Sequence, residues 1–329
     1  MKRDARIEFF RCMLMFGICL LHTVGNSGHN DYWLSSMLAF CVDGFVLISG
    51  YFGIKFSWKK ILSLEITSIW CAFLSTLAMS LVRDVSWGGG GTKTWQVFLN
   101  YWFVHAYVVL MMVSPVVNMV SECIVSKELK TIAKCLLPFY VVCFGWSWAV
   151  SYNATQGLVP RVAGFGQFTP LTLIGVYTTG RLLRQFESKL KFAKAIYLPI
   201  VAGCLVLSAL RLGFYNSPVG LILAIVVFLL CKDMQLPRWI NCCVLAIAPS
   251  MFSVYLLHVN TFGMWVAIPA IVHKVEAYSN KWLAYLLCAA TIFSIGIMVD
   301  VVRRIVVCGI QGTYAKAVAF VQGKGEVKQ

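Results

Sequence analysis

Residues 7–25, IEFFRCMLMFGICLLHTVG, form an apolar run of the length that a helix needs to cross a membrane. A crossing segment must satisfy its own backbone hydrogen bonds, so a run of this kind predicts a transmembrane helix. Similar runs follow along the rest of the chain. The ten predicted spans lie at 7–25, 33–54, 61–82, 101–121, 131–150, 165–183, 193–210, 217–231, 244–270 and 282–302.

Two of these spans depart from the usual length. The run 217–231 is short, and the run 244–270 is long and contains Pro249. Because proline interrupts the hydrogen bonding of a helix, we expect the long span to begin after Pro249 or to be kinked there.

The composition agrees with a polytopic membrane protein. Hydrophobic residues make up 60% of the 329 residues and charged residues 12%, against about 45–50% and about 25% in soluble domains. We therefore expect an all-α bundle of about ten transmembrane helices in the lipid bilayer. The composition excludes a soluble domain, a disordered chain and a small secreted disulfide scaffold.

The positive charges are concentrated on one side of the predicted spans. The net charge is +15, and most of the 28 lysines and arginines fall in alternate connections and at the two termini. Such asymmetry in short loops predicts that both termini are cytoplasmic, in a multi-pass protein of the plasma (inner) membrane. The basic residues form no continuous stripe, so we expect no nucleic-acid partner.

The loops leave no room for a further domain. We expect residues 1–304 to form the transmembrane domain and residues 305–329 a cytoplasmic tail. The longest outer connections are 83–100 and 151–164. The first contains Gly88–Gly91, which we interpret as a flexible loop because a phosphate-binding glycine loop continues with Lys-Ser/Thr.

Two ionisable residues of the first span are the first candidates for function, because such residues are costly inside a bilayer. Arg11 and His22 are eleven residues apart, which places them on one face of a helix and ~16 Å apart along its axis. An anion held by Arg11 could extend a long, thin group towards His22. The alternative is that Arg11 is an anchor at the membrane surface and His22 an interfacial polar residue.

The second span adds a carboxylate and small residues. Asp43 lies near its middle and is followed by Ser49 and Gly50. The Ser-Gly pair allows another backbone or a thin ligand to come close. Asp43 is either a structural partner of a basic side chain or a residue that orients a catalytic group.

Further histidines fall in the predicted outer half of the membrane. His105 lies at the start of the fourth span and His258 in the ninth, three residues after Tyr255. Together with His22 they could bind a metal, but no acidic residue lies near them in sequence to support the ligands. The 13 cysteines contain no Cys-x-x-Cys pair. We expect no metal, and predict proton transfer by one histidine and substrate binding by the others.

These residues resemble the motifs of acyltransferase family 3, bacterial membrane enzymes that O-acylate glycans. Arg11, ten intervening residues and His22 resemble the family's Arg-x10-His signature. The stretch Asp43–Tyr51 is similar to its second-span motif. The aromatic stretch Tyr101–Tyr107, with Pro115 beyond, and the stretch Ser253–His258 resemble their counterparts.

The resemblance implies a function for each candidate. A cytoplasmic acyl-CoA, most often acetyl-CoA, would donate an acyl group to a sugar hydroxyl of a cell-surface or lipid-linked glycan. Arg11 would bind its phosphates, and Ser49 and Gly50 would line its path. His22 would act as general base, or as a transient acyl carrier, with Asp43 as the possible orienting group. The acceptor site would include His105, Tyr255 and His258.

Two other classes share the hydropathy pattern. A glycan-lipid flippase or other transporter is expected to have internal repeats and helices broken at matching positions, and no such symmetry is visible in the sequence. A glycan polymerase would act on lipid-linked sugar without depending on coenzyme A.

Overall fold

The computed structural model describes residues 3–82, 93–125, 129–146, 170–187, 194–212 and 217–325, and the regular structure in them is helical. The predicted all-α class is confirmed for this part of the chain. Its α-helices are α1 (Ala5–Gly25), α2 (Tyr32–Leu38), α3 (Phe40–Phe52), α4 (Trp58–Leu81), α5 (Thr94–Leu99), α6 (Trp102–Val125), α7 (Leu129–Tyr140), α8 (Pro170–Phe186), α9 (Tyr197–Leu207), α10 (Pro218–Asp233), α11 (Arg238–Ile247), α12 (Met251–Val259), α13 (Ile268–Glu276) and α14 (Lys281–Gly325).

Six helical stretches in the described ranges are long and apolar enough to cross a membrane. They are Ala5–Gly25, Tyr32–Phe52, Trp58–Leu81, Trp102–Ile124, Arg238–Val259 and Lys281–Gly309. In the described ranges, the other four predicted spans overlap the shorter helices α7, α8, α9 and α10. A total of ten spans and the cytoplasmic position of both termini stay predictions.

The ninth predicted span, 244–270, has the wrong bounds. The candidate span is Arg238–Val259, and Pro249 lies in a 3₁₀ turn between α11 and α12. Pro249 therefore interrupts the span and does not start it. Helix α12 ends because Asn260 has an extended backbone, and its side-chain oxygen accepts a hydrogen bond from Gly263 N at 2.7 Å. A π-helical segment, Gly263–Ala267, follows.

Helix α1 is the central element of the bundle. Asp4 caps its N-terminus, where the Asp4 carboxylate accepts a hydrogen bond from Arg6 N. Phe10, Leu14 and Cys19 are fully buried, and the helix packs against α3, α10, α11, α12 and α14. Arg11 and His22 therefore lie within the bundle. We call the end at which α1 begins the lower end and the opposite end the upper end.

Helices α3 and α8 cross at very close range. A Cβ atom on Gly50 would collide with the backbone carbonyl of Tyr177, and one on Gly180 would collide with that of Leu47. Both positions require glycine because two backbones meet there. The predicted close approach at Ser49–Gly50 is thus a helix–helix contact at Gly50.

Several predicted features lie at or beyond the edges of the described ranges. Gly88–Gly91 and the connection 151–164 lie outside them. Within the predicted loop 83–100, residues Thr94–Leu99 form a short helix whose Val97 is buried. Helix α14 continues to Gly325, so the predicted tail 305–329 begins as part of a helix.

Candidate active site

A cavity of about 690 Å³ lies inside the bundle. Its volume is in the range of pockets that hold a small molecule or cofactor. Much of its wall is apolar and includes the rings of Phe45, Phe103 and Phe252. Arg11 lines it towards the lower end and His22 towards the upper end, as expected for two side chains on one face of α1.

Arg11 is held at the cavity wall by a carboxylate on its own helix. Its Nη1 donates to Glu8 Oε1 at 3.0 Å and to Oε2 at 3.2 Å. The Glu8 side chain is buried, whereas 34% of the Arg11 side chain is exposed. Because a guanidinium has five N–H donors, Arg11 retains donors for an anion or carbonyl in the cavity.

His22 is paired with a second histidine. Nδ1 of His22 lies 2.9 Å from Nε2 of His258, and the ring centroids are 5.0 Å apart. His258 is almost fully buried, whereas His22 is half-buried and lines the cavity. The pair connects α1 to α12 beside the upper part of the cavity.

The hydrogen bonds of this pair determine which nitrogen of His22 is basic. Nδ1 of His258 lies 2.7 Å from the carbonyl oxygen of Val254, which can only accept, so this nitrogen carries a hydrogen. A neutral His258 then accepts at Nε2 a hydrogen from Nδ1 of His22. The neutral ring is favoured because an imidazolium is costly in apolar surroundings. The lone pair of His22 is therefore on Nε2. Because Nδ1 is paired with His258, Nε2 is the nitrogen that remains available to a ligand.

Ser49 also lines the cavity, but its hydroxyl is engaged. It donates to the carbonyl of Phe45 at 3.0 Å and lies 3.0 Å from the Tyr107 hydroxyl. Since its hydrogen is used on the backbone, Ser49 accepts from Tyr107. Ser49 thus has a hydrogen-bonding role at the wall, and no base accepts its proton.

The upper mouth of the cavity combines aromatic and polar side chains. Asn100 contributes from the end of α5 and Trp102 from the start of α6. Thr261 and Trp265 contribute from the turn and π-helical segment after α12. Gly263 allows this segment to pack directly on the backbone of His258, where a Cβ atom would collide. The mouth is therefore built next to the histidine pair.

Tyr255 lines the cavity as well. Its ring centroid lies 5.6 Å from that of Phe103 and 6.1 Å from that of His258. The structure therefore brings together Arg11, His22, Ser49, Tyr255 and His258, from spans far apart in the sequence.

The remaining predicted site residues do not line this cavity. Asp43 is buried within α3. Gly50 packs on the backbone of Tyr177. His105 packs edge-on against Phe98, with Nε2 3.1 Å from that residue's carbonyl oxygen. These three residues do not contact the cavity, so no direct contact supports the roles predicted for them.

Sequence reasoning misses part of the wall. Tyr107 and Trp102 stand out in the sequence only as members of an aromatic stretch, and Asn100, Thr261 and Trp265 are not among the predicted site residues. The continuous apolar run 244–270 conceals the turn at Asn260. The sequence nevertheless contains a signal for this turn, because Asn260 and Thr261 are adjacent polar residues inside the apolar run.

One thiol lies beside the histidine pair, with Cys19 Sγ 3.9 Å from Nδ1 of His258, the nitrogen whose hydrogen faces the Val254 carbonyl. In the part of the chain that the structure describes, no group of three or more His, Cys, Asp or Glu side chains is placed to hold a metal ion. Proton transfer is the chemistry that two paired imidazoles support by themselves.

A family model for an acyltransferase domain, that of acyltransferase family 3, matches residues 4–301. The match covers most of the chain and includes every cavity-lining residue. The chain belongs to acyltransferase family 3. No curated protein is significantly similar to it, and no solved structure is either. The cavity is thus the candidate active site of a membrane acyltransferase.

Proposed function

We propose that this acyltransferase transfers an acetyl group from cytoplasmic acetyl-CoA to a sugar hydroxyl of a cell-surface or lipid-linked glycan. It would act in the plasma membrane, as an acyltransferase of the class that moves groups other than aminoacyl groups. The observation that carries the proposal is a single cavity with Arg11 near one end and the His22–His258 pair near the other.

Arg11 supports binding of the donor. A coenzyme A thioester combines anionic phosphates with a long, thin arm that ends in the acyl group. Arg11 lies at the lower part of the cavity with donors left over from its pair with Glu8. With the arm extended upwards along the apolar wall, the thioester reaches the histidine pair.

His22 supplies the base for the acceptor. Nε2 of His22 accepts the proton of the sugar hydroxyl as that oxygen attacks the thioester carbonyl carbon. The tetrahedral intermediate then collapses, the C–S bond breaks, and the imidazolium returns the proton to the leaving thiolate. His258 accepts the Nδ1 hydrogen of His22 throughout, which keeps the ring oriented and stabilises its charged form.

The upper mouth supports a carbohydrate acceptor. Trp102 and Trp265 present aromatic faces, and Asn100 and Thr261 supply hydrogen-bonding groups. Such a mixture binds the apolar face and the hydroxyls of a sugar ring. Because the mouth lies beside His22, one hydroxyl of a bound sugar is within reach of the base.

The test is binding of acetyl-CoA to the purified protein in phosphatidylcholine nanodiscs, measured by calorimetry. We expect saturable binding that Arg11→Ala weakens about tenfold or more. The matched control is Arg181→Ala, because Arg181 pairs with Glu122 outside the cavity; its affinity is expected to equal that of the wild type. Failure of folded wild-type protein to bind any acyl-CoA would contradict the proposal and favour a transporter.

A further inference from the structure

A second, smaller cavity of about 390 Å³ opens beside the first. Its wall carries Lys59 and Lys60 from the first turn of α4, together with Arg303 from α14. Ser63 adds a hydroxyl. We call this cavity the basic side pocket. It collects three cationic side chains around a space large enough for a ligand.

The basic side pocket adjoins the candidate active site. Leu64 and Phe252 contribute to the walls of both cavities. The two cavities therefore share part of their walls. Arg11 and His22 line the first cavity on the other side of this shared wall.

The charges of the pocket are only partly balanced. Arg303 pairs with the buried Asp300 at 2.7 Å, and Arg304 contacts the same carboxylate at 3.0 Å. Lys59 and Lys60 are exposed, and neither forms an ion pair within the described ranges. One carboxylate thus faces several cations, and the pocket has a net positive charge.

Lys59 and Lys60 do not stabilise the helix in which they lie. The first turn of α4 contains no acidic residue, and cations at a helix N-terminus oppose the helix dipole. The same dipole adds positive potential for an anion bound at this end. The lysine side chains and the helix dipole therefore both favour an anionic ligand.

We propose that the basic side pocket binds the nucleotide phosphates of the acyl-CoA donor. The inference rests on the function proposed above and adds the site of its anionic end. Glu8 already balances the charge of Arg11, whose remaining N–H donors are left for the carbonyls of the pantetheine arm, whereas Lys59 and Lys60 are available to phosphate oxygens. From the pocket, the pantetheine arm passes between Leu64 and Phe252, continues past Arg11 and brings the thioester to His22.

The experiment compares two donors that differ only in the nucleotide. Acetyl-CoA and S-acetyl-pantetheine, which lacks the nucleotide, are titrated into the full chain in phosphatidylcholine nanodiscs. We expect Lys60→Gln to weaken acetyl-CoA binding about tenfold and to leave S-acetyl-pantetheine binding unchanged. Adenosine 3′,5′-bisphosphate should compete with acetyl-CoA for the wild type and compete about tenfold more weakly for the variant.

Lys55→Gln is the matched control. Lys55 is exposed four residues before Lys59 and does not line the pocket, so the same loss of charge there should leave both affinities unchanged. Thermal unfolding of each variant checks that the fold is intact.

Two results would overturn the inference. In the first, wild type binds acetyl-CoA and Lys60→Gln binds it equally well; loss of phosphatidylglycerol recruitment by the same variant would then assign the pocket to lipid headgroups. In the second, both donors weaken equally in Lys60→Gln. If wild type binds no acyl-CoA, the proposed function itself fails, and this outcome is distinct from the other two.

Discussion

Nδ1 of His22 and Nε2 of His258 lie 2.9 Å apart although the residues are separated by 236 positions in the sequence. The contact joins α1 to α12 beside the cavity. Because Val254 accepts the hydrogen on Nδ1 of His258, the pair has a direction, with His22 as donor and His258 as acceptor. His258 is thus a positioning residue that keeps the lone pair of His22 on Nε2.

Without His258, the His22 ring should no longer be held in a single tautomer. We expect His258→Ala to lower the rate of acyl transfer about 10- to 100-fold, with little change in the affinity for acetyl-CoA. Ring ¹⁵N chemical shifts of labelled histidine should show Nδ1 of His22 protonated in the wild type and both tautomers in the variant.

His105 provides the control for this experiment. It packs on Phe98 and does not line the cavity, so His105→Ala should keep both the transfer rate and the His22 spectrum. Equal losses in the His105 and His258 variants would contradict the role assigned to the pair.

Ser49 should be dispensable for covalent chemistry. Its hydroxyl donates to the Phe45 carbonyl and accepts from Tyr107, so no base activates it as a nucleophile. We expect Ser49→Ala to change the transfer rate by less than about threefold. Complete loss of transfer, with acetyl-CoA binding intact, would assign Ser49 a covalent role and refute this interpretation.

Gly50 should matter for stability. An added Cβ atom meets the Tyr177 carbonyl, so Gly50→Ala must push α3 and α8 apart, at a cost of about 1–3 kcal/mol. Gly203 on α9 has open space where a methyl group would lie, with no contact within 4 Å, so Gly203→Ala should be neutral or slightly stabilising. Thermal unfolding in detergent compares the two; equal stability would mean that the close crossing is not required.

Asp31 should stabilise the upper end of the bundle in a pH-dependent way. It accepts hydrogen bonds from Lys281 at 2.9 Å and from Tyr285 at 2.8 Å. Burial raises the pKa of Asp31, but these hydrogen bonds outweigh burial and hold the pKa below its ordinary value. A lowered pKa in the folded state stabilises the fold at neutral pH, and the stabilisation is lost as the pH falls through that pKa.

The corresponding variant is Asp31→Asn. We expect it to lower the free energy of unfolding by about 1 kcal/mol at pH 7. The difference from wild type should shrink as the pH falls from about 4, the ordinary pKa of an aspartate, towards the lower pKa of the folded state, where the native carboxyl becomes protonated. A difference that stays constant as the pH falls well below about 4, through the lowered pKa of Asp31, would show that charge on Asp31 does not contribute.

The sequence predicts local relations well. Arg11 and His22 share a helix, so helical periodicity alone places them on one face, and both line the cavity. The roles predicted for them also rest on a motif contained in one span. The pairing of His22 with His258 is different, because it depends on how α12 packs against α1, and no local pattern encodes that distance.

Tertiary packing also determines the surroundings of the residues that the sequence does not place correctly. The Ser49–Gly50 pair indicates a close approach, but only the packed structure distinguishes Gly50, against Tyr177, from Ser49, at the cavity. The basic side pocket combines Lys60 with Arg303, which lie far apart along the chain. Each is typical of a membrane-facing basic loop when seen alone.

Transfer of labelled acetyl groups tests the central claim most directly. Membranes of the native host, lacking its own copy and supplied with wild type or His22→Gln, receive [¹⁴C]acetyl-CoA, and base-labile label in glycan is measured. We predict acyl transfer by the wild type and at least an approximately 100-fold loss in His22→Gln, with acetyl-CoA still bound. Transfer by His22→Gln at the wild-type rate would contradict the account.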